Sequence, residues 1–276
     1  MPPRILKADG SLEAFNRDKL LRSLLRSGAA QGRAEEITQQ LEREVKDGMT
    51  TGEIYHRAFT LLQEHKKTAA ARYSLKRALL DFGPSGFPFE AYLAEMFRAE
   101  GYSARIDQII QGKCVEHEVD VVATKGNQTL YVEAKFHNNA GFKTDLQTAL
   151  YVKARLEDIA ARPGNPEPMQ GLLVTNTKFT SLAVAYAQCA GVELLGWEYP
   201  DQGNLHDRID AANVYPITAL TTLNKQDKIA LLGKKIVLCN HLVEQGDALL
   251  QAGVSRNKID SVFSEAAGLC IPGNDI

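Results

Sequence analysis

The chain has 276 residues, 44% hydrophobic and 24% charged, with a formal net charge of −2. That size and balance suit two or three small soluble domains. They exclude a membrane-spanning bundle, because no apolar run reaches bilayer length. The Met1-Pro-Pro-Arg4 start lacks the apolar core of a secretory signal, so the expected compartment is the cytoplasm. Cys114, Cys189, Cys239 and Cys270 show no C-x-x-C spacing, and four reduced thiols are expected rather than a zinc ribbon or a disulfide framework.

Charge is uneven along the chain. Residues 1–82 carry 15 basic and 11 acidic side chains, residues 83–216 carry 11 and 17, and residues 217–276 carry 6 and 6. Polyanion binding ordinarily leaves a basic footprint, which the middle segment lacks. Any affinity for DNA there must draw on bound cations, the flanking segments or an oligomer.

In residues 1–82, two short runs flank Ala8-Asp9-Gly10, a hairpin signal. Asn16 or Asp18 can cap a helix with Leu20, Leu21, Leu24 and Leu25 on its apolar positions. Ile37, Leu41 and Val45 mark a second helix, and the capping box Thr50-x-x-Glu53 opens a third with Ile54, Ala58, Leu61 and Leu62. A fourth is expected from about Thr68 to Phe82. The residues Leu6-Lys7-x-Asp9-Gly10, Glu13-x-Phe15-Asn16-x-x-Lys19-Leu20, Thr51-x-Glu53-Ile54 and Arg72-Tyr73 resemble the ATP-cone, a regulatory module that binds ATP or dATP. The resemblance implies that Lys7 and Lys19 meet the phosphates and that Glu13 and Asn16 contact sugar or base. It also implies that Thr51 and Tyr55 line the pocket. Ala8 departs from the second basic residue many members have there. The segment has no P-loop, so nucleotide is expected as a ligand and not as a hydrolysed substrate.

Gly83-Pro84-Ser85-Gly86-Phe87-Pro88 reads as a boundary, and Phe89–Glu100 as an amphipathic helix. Val119, Val121 and Val122, a Lys125-Gly126-Asn127 turn and Thr129–Val132 then form a hairpin. Residues two apart in a strand share a face, so Glu133 and Lys135 point together, and Asp120 can stand beside them on the neighbouring strand. Two carboxylates so placed can hold Mg²⁺, and a lysine beside them can orient or deprotonate a water for attack on phosphorus.

Asp120, twelve intervening residues, then Glu133-x-Lys135 resembles the PD-(D/E)xK nuclease core. Phe89-Glu90 on the preceding helix resembles the Mrr-type restriction endonucleases. The resemblance implies that Asp120 and Glu133, with the backbone carbonyl of Ala134, bind Mg²⁺ or Mn²⁺ while Lys135 handles the water. It brings Glu90 towards the metal, and makes Gln147 and Lys143 candidates on or before the next helix, expected over Thr144–Ala161. Glu90 can equally be a helix-start acid favoured by the dipole. His137 shares the face of Glu133 and Lys135 if the strand continues. Gly171–Thr175 and Val192–Trp197 read as strands around a helix over Phe179–Ala190, and this half also resembles the Mrr-type domain.

From Ile217 the leucine spacing, broken by Gly233, Gly246 and Gly253, reads as three or four short helices. Leu250-x-x-Gly253-Val254-Ser255 resembles a helix-hairpin-helix, although dimerisation or packing against the sheet is the favoured role.

The expected fold is thus α/β in three parts. They are an N-terminal hairpin-plus-four-helix cone (1–82), a restriction endonuclease-like mixed sheet flanked by helices (83–216), and a helical tail (217–276). The expected function is metal-dependent DNA cleavage controlled by ATP or dATP, in a homo-oligomer. A nucleotide-responsive DNA-binding protein with an idle nuclease fold is the alternative. A regulator of nucleotide metabolism is disfavoured by the missing C-x-x-C zinc ribbon.

Overall fold

The computed structural model describes residues 2–164, 169–245 and 247–270. Its contacts divide the chain into two units, one of Met1–Asp81, Asn139–Gly141 and Tyr215–Ile276, the other of Phe82–Asn138 and Phe142–Val214.

The first unit begins with an antiparallel hairpin, β1 (Arg4–Leu6) and β2 (Leu12–Ala14). Gly10 supplies the positive φ of 82° that its turn requires. Residues 48–50 run along the free side of β1, where Gly48 N–H donates to the Arg4 carbonyl at 2.8 Å and Leu6 N–H to the Met49 carbonyl at 2.9 Å. Asn16 caps α1 (Arg17–Arg26), which is followed by α2 (Gln31–Glu44). The Thr50/Glu53 capping box opens α3 (Thr51–Gln63). Leu20, Leu24, Ile37, Leu41, Ile54, Ala58 and Leu62 close over Ile5 and Phe15 of the hairpin as one core. The single helix expected over 68–82 is two, α4 (Lys67–Tyr73) and α5 (Leu75–Leu80). They part at Ser74, whose hydroxyl donates to the Ala71 carbonyl at 2.8 Å; such side-chain competition for helix carbonyls bends helices.

The second unit opens with α6 (Phe87–Ala99). A strand absent from the sequence reading follows, β3 (Ser103–Gln111), and then β4 (Glu116–Lys125) and β5 (Gln128–Lys135) about the expected turn. Next come β6 (Lys143–Thr144) and α7 (Leu146–Ala160), capped by Asp145. They are followed by β7 (Met169–Thr175), β8 (Lys178–Phe179), α8 (Ser181–Ala190) and β9 (Glu193–Leu195). The main sheet has the order β3-β4-β5-β7-β9, antiparallel from β3 to β5 and parallel from β5 to β9. Parallel neighbours need crossovers, which α7 and α8 provide. Helix α6 packs on β3 and β4. A further helix, α9 (Leu205–Ala212), also unforeseen, packs on α6.

The tail starts with a single 3₁₀ turn at Ile217–Ala219 and continues as α10 (Lys225–Gly233), α11 (Cys239–Glu244), α12 (Ala248–Gln251) and α13 (Arg256–Cys270). Helix α13 packs on α4 and α11, so it contributes to the first unit, where dimerisation or packing against the sheet was expected. Gly253, at φ 80°, makes the α12–α13 turn. The glycine of the expected break at Gly246 lies outside the described residues.

Candidate active site

The site forms where two strands part. The β4–β5 ladder ends at the pair Val121–Val132, and the same antiparallel register sets Asp120 opposite Glu133. Beyond that pair, β4 stays with β3 while β5 runs on beside β7 to Lys135. The Asp120 carboxylate takes over the interrupted ladder, with Oδ2 accepting the Ala134 N–H at 2.6 Å. The β3–β4 ladder also skips one pair here. Ile106 pairs with Val121 and Gln108 with Val119, which leaves Asp107, at φ 54°, opposite Asp120. Asp107, Asp120 and Glu133 therefore occupy one row across three strands. A non-glycine residue at positive φ is uncommon and is retained where surrounding structure holds it.

Glu90 joins them from the first turn of α6. A Cβ built on Gly86 would lie 3.1 Å from Glu90 Oε1 and 3.8 Å from Phe136 Cβ, so the carboxylate turns back over the helix start towards the end of β5. Phe89 fixes that helix against Phe136, with ring centroids 5.9 Å apart. Burial, then the charges of Asp120, Asp107, Glu118 and Glu133, push the Glu90 carboxyl up to about 7. Burial and Glu133 push Asp120 up to about 6, against the opposing pull of the Ala134 N–H and Arg155. These carboxyls thus crowd one region.

Arg155 reaches the site from α7 and forms an ion pair with Glu133, the two side chains being 11% and 17% exposed. Its guanidinium donates to Tyr151 Oη at 3.0 Å and lies 4.7 Å from that ring's centroid. Lys135 is exposed two residues beyond Glu133. His137 is not on the strand, which stops at Lys135. Asn176 clamps its backbone, accepting from His137 N–H at 2.9 Å and donating to its carbonyl at 2.7 Å, while the imidazole meets Thr144 Oγ1 at 3.1 Å. Burial, then Lys135, lower the His137 pKa. Gln147 is exposed in the first turn of α7 and Lys143 on β6. Among the described residues no hydrogen bond joins Gln147 to Asp120 or Glu133.

In the first unit, Glu13 sits between two lysines, with Lys7 Nζ 3.1 Å and Lys19 Nζ 3.9 Å from its oxygens. Asn16 Oδ1 accepts the Lys19 N–H at 2.9 Å as the α1 cap. Thr51 opens α3 beside β1, since its neighbour Thr50 bridges to Leu6. Tyr55, one turn on, stacks on Tyr73 at 5.4 Å. Burial first, then the Tyr73 hydroxyl, raise the Tyr55 pKa. A helix N-terminus beside lysines suits a phosphate-bearing ligand.

Residues 3–81 match the family model for the ATP-cone domain, residues 84–198 that for a restriction endonuclease domain of the Mrr type, and residues 215–270 that for the AF1548-like C-terminal region. A protein of Archaeoglobus fulgidus described as uncharacterized is 34% identical over 175 residues, covering 63% of this chain and 97% of its own length. A second from the same organism is 45% identical over 40 residues, 14% of this chain and 85% of that protein. The crystal structure of AF1548, a protein of unknown function, superposes with a TM-score of 0.56 at 31% identity, over 67% of this chain and 98% of that one.

The chain belongs to the AF1548-like family. It joins an ATP-cone to an Mrr-type restriction endonuclease domain, a combination that points to a nuclease with nucleotide binding. No described helix is long and apolar enough to cross a membrane.

Restriction endonuclease folds generally use divalent metals. No three His, Cys, Asp or Glu side chains among the described residues converge to hold a metal by themselves. Magnesium needs fewer, since it keeps several waters and binds one or two carboxylates. Asp120 and Glu133 on parting strands, with the Ala134 backbone between them, are hard oxygen donors, and their crowding leaves negative charge that a cation relieves. The residues fit the ion. Asp107, Glu118 and Arg155 were missed in the sequence. An Ile106-Asp107-Gln108 alternation within Ser103–Gln111 could have located the first, whereas nothing local ties Arg155 to Glu133.

Proposed function

We propose that this protein is a metal-dependent DNA endonuclease of the restriction or defence type, controlled by ATP or dATP bound to its cone. The carrying observation is the alignment of Asp120 with Glu133 where β4 and β5 part, with Lys135 two residues further along the same strand.

In this reading Asp120 and Glu133 hold Mg²⁺ or Mn²⁺ with the Ala134 carbonyl. When bound, the cation supplies Lewis-acid stabilisation of charge developing on the scissile phosphate and a more acidic water. Lys135 orients that water or takes its proton. Glu90, with a carboxyl raised to about 7, is poised to hold or release a proton near neutrality beside Asp120. Gln147, in the first turn of α7, and Lys143, on β6, are the further candidates near the active site. Lys7 and Lys19 neutralise the triphosphate, and Glu13, Asn16, Thr51 and Tyr55 surround sugar and base. Nucleotide acts by its different affinity for two states of the protein.

One observation favours the second reading, a nucleotide-responsive DNA-binding protein with an idle nuclease fold. Glu133 already has a cationic partner in Arg155. Incubation of supercoiled plasmid with Mg²⁺, Mn²⁺ or EDTA, with and without ATP, separates the two. Cation-dependent nicking that disappears in Asp120→Ala supports the nuclease. DNA retention in a mobility-shift assay with no cleavage under any cation supports the alternative.

A further inference from the structure

Two of the four thiols meet in the tail. Cys239 opens α11 and Cys270 ends α13, and these helices pack on each other. The Cys239 side chain is fully buried and its thiol donates to the Pro216 carbonyl at 3.4 Å. Cys270 is its neighbour across the α11–α13 packing, yet keeps partial exposure. Around them stand Glu265, 4% exposed, and Lys228. The Glu265 carboxylate accepts from the N–H and hydroxyl groups of Thr221 and Thr222 at 2.7–2.9 Å. Lys228 Nζ donates to the Thr218 carbonyl at 2.7 Å. Glu265 and Lys228 are thus engaged with Thr218, Thr221 and Thr222, and Cys270 is the thiol that neighbours Cys239.

We propose that Cys239 and Cys270 are an oxidisable pair, converted by hydrogen peroxide to a disulfide that ties α13 to α11. Their accessibility assigns the order. Cys270, which solvent reaches, attacks peroxide as its thiolate. The O–O bond breaks, hydroxide leaves and becomes water, and Cys270 is oxidised to sulfenic acid. Cys239 then attacks that sulfur, the S–O bond breaks, and the Cys239 proton leaves with the hydroxyl as a second water. Two thiols and one peroxide give one disulfide and two waters. Burial, followed by the Cys270 thiol and Glu265, holds the Cys239 pKa well above the ordinary thiol value, which disfavours Cys239 as the first thiol to react. The disulfide closes the stretch holding α12 and α13, and a closed loop restricts the unfolded chain.

The test uses the whole 276-residue chain. It is treated with hydrogen peroxide, unfolded in guanidinium chloride with N-ethylmaleimide present so that every free thiol is blocked, and digested with trypsin without reductant. The expected product joins peptides 236–256 and 259–276, about 2 Da lighter than their sum, and dithiothreitol releases it. The oxidised protein should melt roughly 5 °C higher than the reduced one. Cys270→Ser abolishes both effects. Cys239→Ser leaves Cys270 as a sulfenic acid that dimedone traps. Cys114 and Cys189, both exposed and outside the pair, serve as controls that alkylate freely. Full alkylation of Cys239 and Cys270 after peroxide, or linked peptides that contain only Cys114 or Cys189, overturns the proposal. The peptide readout on the wild-type chain does not depend on how either variant folds.

Discussion

Asp120 accepts the backbone N–H of Ala134 at 2.6 Å in the place where a strand ladder would otherwise continue. One carboxylate therefore both ends the β4–β5 pairing and stands opposite Glu133. This arrangement separates the chemical role of Asp120 from its cost to stability, and variants can read the two apart.

Asp120→Ala should lower cation-dependent plasmid cleavage by about 1,000-fold, the scale of several kcal/mol of transition-state charge stabilisation. Lys135→Ala should be similarly inactive, yet retain Mn²⁺ binding in calorimetry. Unchanged cleavage by Asp120→Ala would remove the assignment.

In EDTA, the sign of the Asp120 effect on stability reverses the usual carboxylate case. Its folded pKa is raised from 3.8 to about 6. The native state then binds more protons across that window, so the contribution is fully present below pH 4 and is lost as pH rises through about 6. Asp120→Asn keeps the acceptor for Ala134 and removes the titration. Discounted for solvent screening, it should gain roughly 1–2 kcal/mol at pH 8. Melting curves from pH 3.5 to 8 should show that gain shrink to nothing at the acid end. A constant difference across the range would show that the crowded charge is not its source.

Arg155→Gln leaves Glu133 half-buried without its partner. The variant should lose about 2–3 kcal/mol in EDTA, below the full cost of breaking a wholly buried pair. Calcium, used as a non-cleaving probe, should raise its melting temperature by more than it raises the wild type's. An equal calcium effect in both proteins would mean that Arg155 and the cation do not share Glu133.

Lys7 is held by Glu13, which Lys19 also approaches. Lys7→Ala should weaken ATP binding in calorimetry by at least about tenfold, the scale of one charge-assisted contact. It should also leave basal plasmid cleavage intact. No heat of binding from wild-type protein at millimolar ATP or dATP would reduce the cone to a packing module.

Local rules carried much of the fold into the sequence. Capping chemistry put the start of α1 at Asn16 or Asp18, of which the structure uses Asn16, and that of α3 at Thr50, and the Lys125-Gly126-Asn127 turn set the register that brings Asp120 opposite Glu133. These features depend on neighbours within a few residues, so spacing reveals them. The cone and endonuclease motifs were legible for the same reason. Tertiary structure decided the rest. Strand β3 leaves only a short Ile106-Asp107-Gln108 alternation in the sequence, and its pairing with β4 is what shows that Asp107 stands opposite Asp120. The partnership of Arg155 with Glu133 spans the α7 crossover, and the meeting of Cys239 with Cys270 depends on how α13 folds back on α11. Contacts between distant residues are set by burial of helix and sheet faces, and no local spacing encodes which side chains those faces bring together.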